Sequence, residues 1–91
     1  MSKIKIAIAD DNRDLVKMME AYFENHDSIE VMFTASNGKV CIKMLEQYRP
    51  DVLLLDIIMP HLDGMGVLEA MYNDENLADI PVIMLTAFGQ D

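Results

Sequence analysis

Residues 52–60 read VLLLDIIMP. The four consecutive apolar residues Val52 to Leu55 cannot alternate between a core and a solvated face. The run therefore reads as a strand covered on both sides, the pattern of a parallel sheet and not of a half-wet hairpin. An aspartate closes it. A carboxylate left unpaired in an apolar setting shifts its pKa before it ionises there. Asp56 is thus either a turn residue that follows a strand or a group that the fold is built to present.

The flanking sequence supplies the rest of the layout. Upstream, Lys3 to Ala9 (KIKIAIA) alternates, with Ile4, Ile6 and Ile8 on one face, and reads as a strand. Asp10-Asp11-Asn12 are helix-capping residue types, and Leu15, Met18, Met19, Tyr22 and Phe23 then recur at helical spacing. After a break at Asn25 to Ser28, Ile29 to Ala35 (IEVMFTA) has the β-branched and aromatic content of a second strand. Ser36-Asn37-Gly38 opens a second helix, with a stripe of Val40, Cys41, Met44, Leu45 and Tyr48, which Arg49-Pro50 ends. Downstream of Asp56, His61-Leu62-Asp63-Gly64 turns into a short helix carrying Val67, Leu68, Met71 and Tyr72. Asn73 to Asp79 reads as a polar loop, and Val82 to Leu85 as a fourth strand, again apolar throughout. The order βαβαβαβ implies an α/β fold: a doubly wound parallel sheet with right-handed crossovers and helices on both faces.

Composition bounds what such a chain does. Its 91 residues make one small domain, 52% apolar and 25% charged, as in globular proteins. No run is long enough to span a bilayer and no basic-then-apolar start marks a signal peptide, so a cytoplasmic chain without membrane contact is expected. A single cysteine, Cys41, precludes an internal disulfide and fits a reducing compartment. Seven basic against 16 acidic residues give a net charge of −9, a poor match for nucleic acid by this chain alone. The nine methionines include Met18, Met19, Met44, Met71 and Met84, which fall in apolar stripes or strand runs and read as core filling.

Ligands of open parallel sheets bind beyond the strand C-termini, where strand order reverses. Three of the predicted strands end there in polar residues: the first at Asp10-Asp11, the third at Asp56, the fourth at Thr86. With strand order 2-1-3-4, the first and third strands lie about 4.8 Å apart. Asp10, Asp11 and Asp56 would then share one pocket, where either a cation joins the three carboxylates or a pKa rises. Hard oxygen ligands in a small acidic site suit Mg²⁺. Singly, each residue has a plainer role: Asp10 or Asp11 as a helix cap, Asp56 in a turn, Thr86 as the last β-branched residue of its strand. Their convergence on one edge favours a site. A dinucleotide or P-loop nucleotide site lacks its glycine-rich turn. Cys41 lies mid-helix with no histidine aligned to it and reads as structural. His26 reads as solvated, and His61, in the turn after Asp56, as an exposed residue near the site.

An Asp-Asp pair closing the first strand, an Asp closing the third, Met59-Pro60-His61-Leu62-Asp63-Gly64 after it, and Thr86-Ala87 closing the fourth together resemble the receiver domains of two-component response regulators. The match runs from Lys3 to Gln90. The wording of Ala9–Val16 (ADDNRDLV), Leu53–Gly64 and Val82–Gln90 (VIMLTAFGQ) is similar to that of sporulation regulators of endospore-forming bacteria. The resemblance implies a flavodoxin-like fold and a transcriptional, sporulation-linked output. It implies that Asp56 is the phosphoacceptor, charged by a phosphohistidine of a histidine kinase or a phosphorelay phosphotransferase. Asp10, Asp11 (more directly) and Asp56 would hold Mg²⁺ or another divalent cation with the backbone carbonyl of Ile58, and Thr86 would be the switch hydroxyl. Pro60 and Gly64 would shape the loop, with Asn12, Leu15 and Pro60 near the surface for the phosphodonor. Receivers also carry a lysine, followed by proline, on a fifth strand, which is not found in residues 1–91. The expectation is therefore a single incomplete receiver unit over 1–91 without its output domain, with an exposed fourth strand that invites self-association. The rival readings are a receiver-fold binding or dimerisation module without phosphorylation and, further off, an aspartate-nucleophile phosphohydrolase. The latter usually has an Asp two residues after its nucleophile on the first strand, where this chain has Asn12 or Arg13.

Overall fold

A computed structural model of the chain describes residues 3–59 and 61–85. In chain order the elements are β1 (Ile4–Ala9), α1 (Arg13–Glu24), β2 (Ile29–Ala35), α2 (Gly38–Gln47), β3 (Val52–Asp56), α3 (Gly64–Tyr72) and β4 (Val82–Leu85). The strands form one four-stranded sheet in the order β2-β1-β3-β4, and every pair is parallel. This is the flavodoxin-like, doubly wound arrangement that the sequence predicts. The register sets Ala9 beside Ala35 on one side and beside Leu55 on the other, so β1 is an inner strand whose end faces both β2 and β3.

Two apolar layers flank the sheet. One packs α2 and α3 against it through Cys41, Leu45, Val67 and Met71, which meet Ala7, Phe33, Leu53 and Leu55. The other packs α1 through Val16, with Met19 and Phe23, onto Ile6, Ile8 and Leu54. Leu53, Leu54 and Leu55 are all buried, and they serve opposite faces in turn, which is why the run carries no polar residue. No helix among the described residues is long and apolar enough to cross a membrane.

Several details differ from the sequence reading. The buried line of α1 is Val16 with Met19 and Phe23, whereas Met18 and Tyr22 are 65% and 61% exposed. Both sit one position off the core line and fall within the window that an apolar stripe blurs. Met18 is therefore a surface residue and not core filling. Tyr48 and Tyr72 likewise face outward, as amphipathic side chains at helix ends do. On β1, Ile4 is exposed while Ile6 and Ile8 are buried. Helix α2 stops at Gln47, ahead of the Arg49-Pro50 pair, and Tyr48 is already extended at φ −129° and ψ 109°. The Asn73–Asp79 loop is tied down: Leu77 is buried, and Arg49 donates to the Asn76 carbonyl and pairs with Asp79 at 2.9 Å. β4 is the outer strand among those described, and Ile83 on it is 54% exposed.

The connection from β3 to α3 holds His61 at φ 69°, the left-handed region. A side chain there costs about 1–2 kcal/mol, against about 0.5–1 kcal/mol of extra chain entropy that glycine introduces. His61→Gly should therefore raise stability by up to about 1.5 kcal/mol, measured as a higher urea midpoint with an unchanged slope. A lower midpoint would show that the imidazole makes a compensating contact.

Candidate functional site

The acidic edge is built by the ends of β1 and β3. The Asp10 amide continues the β1–β2 ladder by donating to the Ala35 carbonyl at 3.0 Å, and its side chain is 5% exposed. Asp10 Oδ1 accepts the Asn12 amide at 2.9 Å, a local turn that fixes the carboxylate. The cap of α1 is neither Asp10 nor Asp11. Asn12 holds that position, its Oδ1 accepting the Leu15 amide at 3.1 Å. Both acids are thus released from the capping role that the sequence alone left open to them.

Asp56 is the last residue of β3, paired with Leu85 of β4. Its Oδ1 accepts the Ile58 amide at 3.3 Å. Asp10, Asp11 and Asp56 each bring a carboxylate oxygen within 4.8 Å of the others. They line a cleft of about 300 Å³ whose other walls are Asn12, Leu15, Ile58 and Leu85. The sequence reading places Asn12, Leu15 and Ile58 near this site. It does not single out Leu85, because strand order alone does not fix the register that sets Leu85 beside Asp56. A larger cleft, about 420 Å³, lies between α1 and the start of β2, at the opposite edge of the sheet. Size does not locate the chemistry here, because among the described residues only the three aspartates bring metal-ligating groups together. Pro60 and Thr86 lie outside the described residues.

The electrostatics are those of a crowded acid cluster. Burial pushes the Asp56 carboxyl above its ordinary value of 3.8, the Ile58 amide pulls it partly back, and the charges of Asp10 and Asp11 raise it again. All-oxygen donors with uncompensated negative charge fit a small hard cation such as Mg²⁺, and among the described residues no cationic side chain lines the cleft to take that place. Elsewhere the chemistry is quiet. Cys41 is fully buried and its thiol is pushed up to about 12, so it supplies no thiolate nucleophile. His26 is exposed and packs its ring on Tyr22, 4.7 Å between centroids, and His61 is exposed in the loop.

Comparison with known proteins agrees with this geometry. Residues 6–91 match the model of the response regulator receiver domain family. The N-terminal domain of a response regulator receiver protein from Methanoculleus marisnigri JR1 is 36% identical over 92% of this chain and 67% of that one, with a TM-score of 0.85. The phosphorylated cyanobacterial phytochrome response regulator RcpA is 29% identical over 97% of this chain and 68% of that one, with a TM-score of 0.87. A Francisella response regulator receiver domain is 28% identical over 96% and 69% of the two chains, with a TM-score of 0.83. A sheet ordered β2-β1-β3-β4, an acid triplet at the β1–β3 edge and a family match over nearly the whole length point the same way: the chain belongs to the response regulator receiver domain family, the signalling modules of two-component systems.

Proposed function

We propose that this chain accepts a phosphoryl group on Asp56 from a phosphohistidine, carried by a histidine kinase or a phosphorelay phosphotransferase. The observation that carries the reading is the convergence of the Asp10, Asp11 and Asp56 oxygens within 4.8 Å at one strand edge. That the RcpA relative was solved phosphorylated supports it. In this reading Asp10, Asp11 and Asp56, with the Ile58 carbonyl, hold Mg²⁺, which when bound supplies positive charge against the transferring phosphoryl oxygens. The chain's own residues set the rest. In this reading the Ile58 amide orients the Asp56 carboxylate through Oδ1, and Oδ2 is the attacking oxygen. An Oδ2–P bond forms as the P–N bond to the donor imidazole breaks, its electron pair staying on the ring nitrogen. Asn12 anchors Asp10 from one side, and Leu15, Ile58 and Leu85 give the cleft an apolar rim against which a docked donor excludes water.

The reading includes Thr86 as a switch hydroxyl near the acyl phosphate, a cytoplasmic location and a transcriptional output in a longer protein. Its sporulation link rests on the wording of Ala9–Val16, Leu53–Gly64 and Val82–Gln90. The chain is a signalling module in this account, with no turnover beyond forming and slowly hydrolysing its own acyl phosphate.

A second reading, association between copies through β4, is favoured by one observation: β4 is the outer strand among those described and exposes Ile83.

Three outcomes test these readings. Incubated with Mg²⁺ and a small acyl phosphate, the chain should gain one phosphoryl group by intact mass. Asp56→Asn should gain none, and a chelator should abolish the gain in the wild type. An equal adduct on Asp56→Asn would sink the assignment. The second outcome concerns stability. Because the folded-state pKa of Asp56 lies above 3.8, ionising it costs the folded chain more than the unfolded one. That cost is absent below the unfolded value, grows as pH rises through the raised folded value, and stays constant above it. Near neutral pH without cation, Asp56→Asn should melt higher than the wild type, and the gap should close in acid. Excess Mg²⁺ should also close it by stabilising the wild type. A variant that melts lower at neutral pH contradicts the electrostatic account. For the edge strand, sedimentation should show concentration-dependent association that Ile83→Lys removes; a wild-type monomer at all concentrations excludes it.

A further inference from the structure

The connection between β3 and α3 starts at Asp56 and contains Ile58, yet part of what holds it comes from a helix that lines no part of the cleft. Gly38, the buried first residue of α2, packs directly on this connection. A Cβ at position 38 would overlap the Leu62 carbonyl oxygen and lie 2.7 Å from the Leu62 carbonyl carbon. Gly38 is helical with an ordinary φ, so the demand for glycine is one of space. On the other side, a Cβ on Gly64 would overlap the Asp56 carbonyl oxygen and lie 2.7 Å from Ile57 Cα. The Gly64 amide also donates to the Ile57 carbonyl at 2.8 Å. On the same connection Met59 is buried in the apolar layer shared with α2 and α3. The connection is therefore gripped at its far end by α2 and at its near end by α3, by backbone contacts that no rotamer change relieves.

We infer that Gly38 is a positioning residue for the acidic site: its bare Cα lets the first turn of α2 seat against the Leu62 backbone and thereby fixes the connection that carries Ile58 next to Asp56. The role rests on the reading of Asp10, Asp11 and Asp56 as a cation site. It acts through the backbone of 57–59 and 61–63, not through contact with ligand.

Gly66 gives the matched comparison. A Cβ there meets Leu62 as well, but only Cδ1 and Cγ, the movable end of the side chain. Gly38→Ala should move the amide resonances of Ile57, Ile58 and Asp63 and weaken Mg²⁺ binding, measured by calorimetry, roughly tenfold, the scale at which groups that orient ligands act. Gly66→Ala should leave both at wild-type values. If Gly38→Ala does not fold, Asn37→Ala takes its place: it removes the Oδ1 that accepts the Val40 amide at 2.9 Å and frays the same first turn. It should produce a smaller fall in Mg²⁺ affinity with faster exchange of the Gly64 amide. Wild-type affinity and wild-type resonances in a folded Gly38→Ala, or unchanged affinity in Asn37→Ala, would overturn the role and leave the site reading standing. A wild-type chain that binds no Mg²⁺ would overturn both.

Discussion

The parallel ladder between β1 and β3 sets Ala9 beside Leu55, so the next residues along, Asp10 and Asp56, leave the sheet side by side. Everything at the acidic edge depends on that register. A slip of one residue would turn each strand's alternate side chains to the wrong layer, exchanging the faces served by Leu53, Leu54 and Leu55. The cost of the slip is spread over both apolar layers, since Leu54 meets the α1 side while Leu53 and Leu55 meet α2 and α3. The core therefore does more than stabilise the fold. It enforces the alignment that brings like charges together, an arrangement that the charges themselves oppose.

That opposition gives the site its chemistry. Three carboxylates from two strand ends would separate if they were free to, and a flexible loop would let them. Here Asp10 is buried and tied to the Asn12 amide, and Asp56 is the last residue of a strand whose oxygen accepts from Ile58. Repulsion that cannot relax by movement relaxes by proton uptake or by cation binding. Burial adds to it at Asp56, whose carboxyl is raised above its ordinary value. Under the proposed function, the same clustering of charge that would draw a cation also sets Asp56 where a phosphoryl group would be transferred.

Much of this was legible in the sequence. An unbroken apolar strand followed by an acid, with an acid pair closing an alternating strand, points to the sheet edge as the place of the acid cluster. The order of the elements gave the topology, since each strand-to-strand passage carried a helix. Three things were hidden. Which residue caps α1 was open among Asp10, Asp11 and Asn12, and only the hydrogen bond from Leu15 to Asn12 settles it. The core line of α1 was blurred because Met18 and Tyr22, both apolar enough to read as core, flank Val16, Met19 and Phe23 on a helix that packs on one side only. The grip of α2 on the β3–α3 connection left no pattern at all, because Gly38 after Ser36-Asn37 reads as a helix start for reasons of local backbone preference, while its requirement is set by Leu62.

This last point bears on how an acid cluster is kept usable. Asp56 itself is rigid by virtue of its strand, but Ile58, whose amide orients one Asp56 oxygen, is two residues past the strand and 70% exposed. A side chain that open gains little from burial, so nothing in its own packing locates it. Its position must be imposed from neighbours on either side: Asp56 before it, and after it the buried Met59 and the Leu62 backbone wedged against α2. Glycines at both contacts allow backbone to meet backbone, which is stiffer than any side-chain contact because it has no rotamers to yield. The connection can thus present an exposed, chemically engaged residue while keeping its geometry, which a loop held only by solvated side chains could not do.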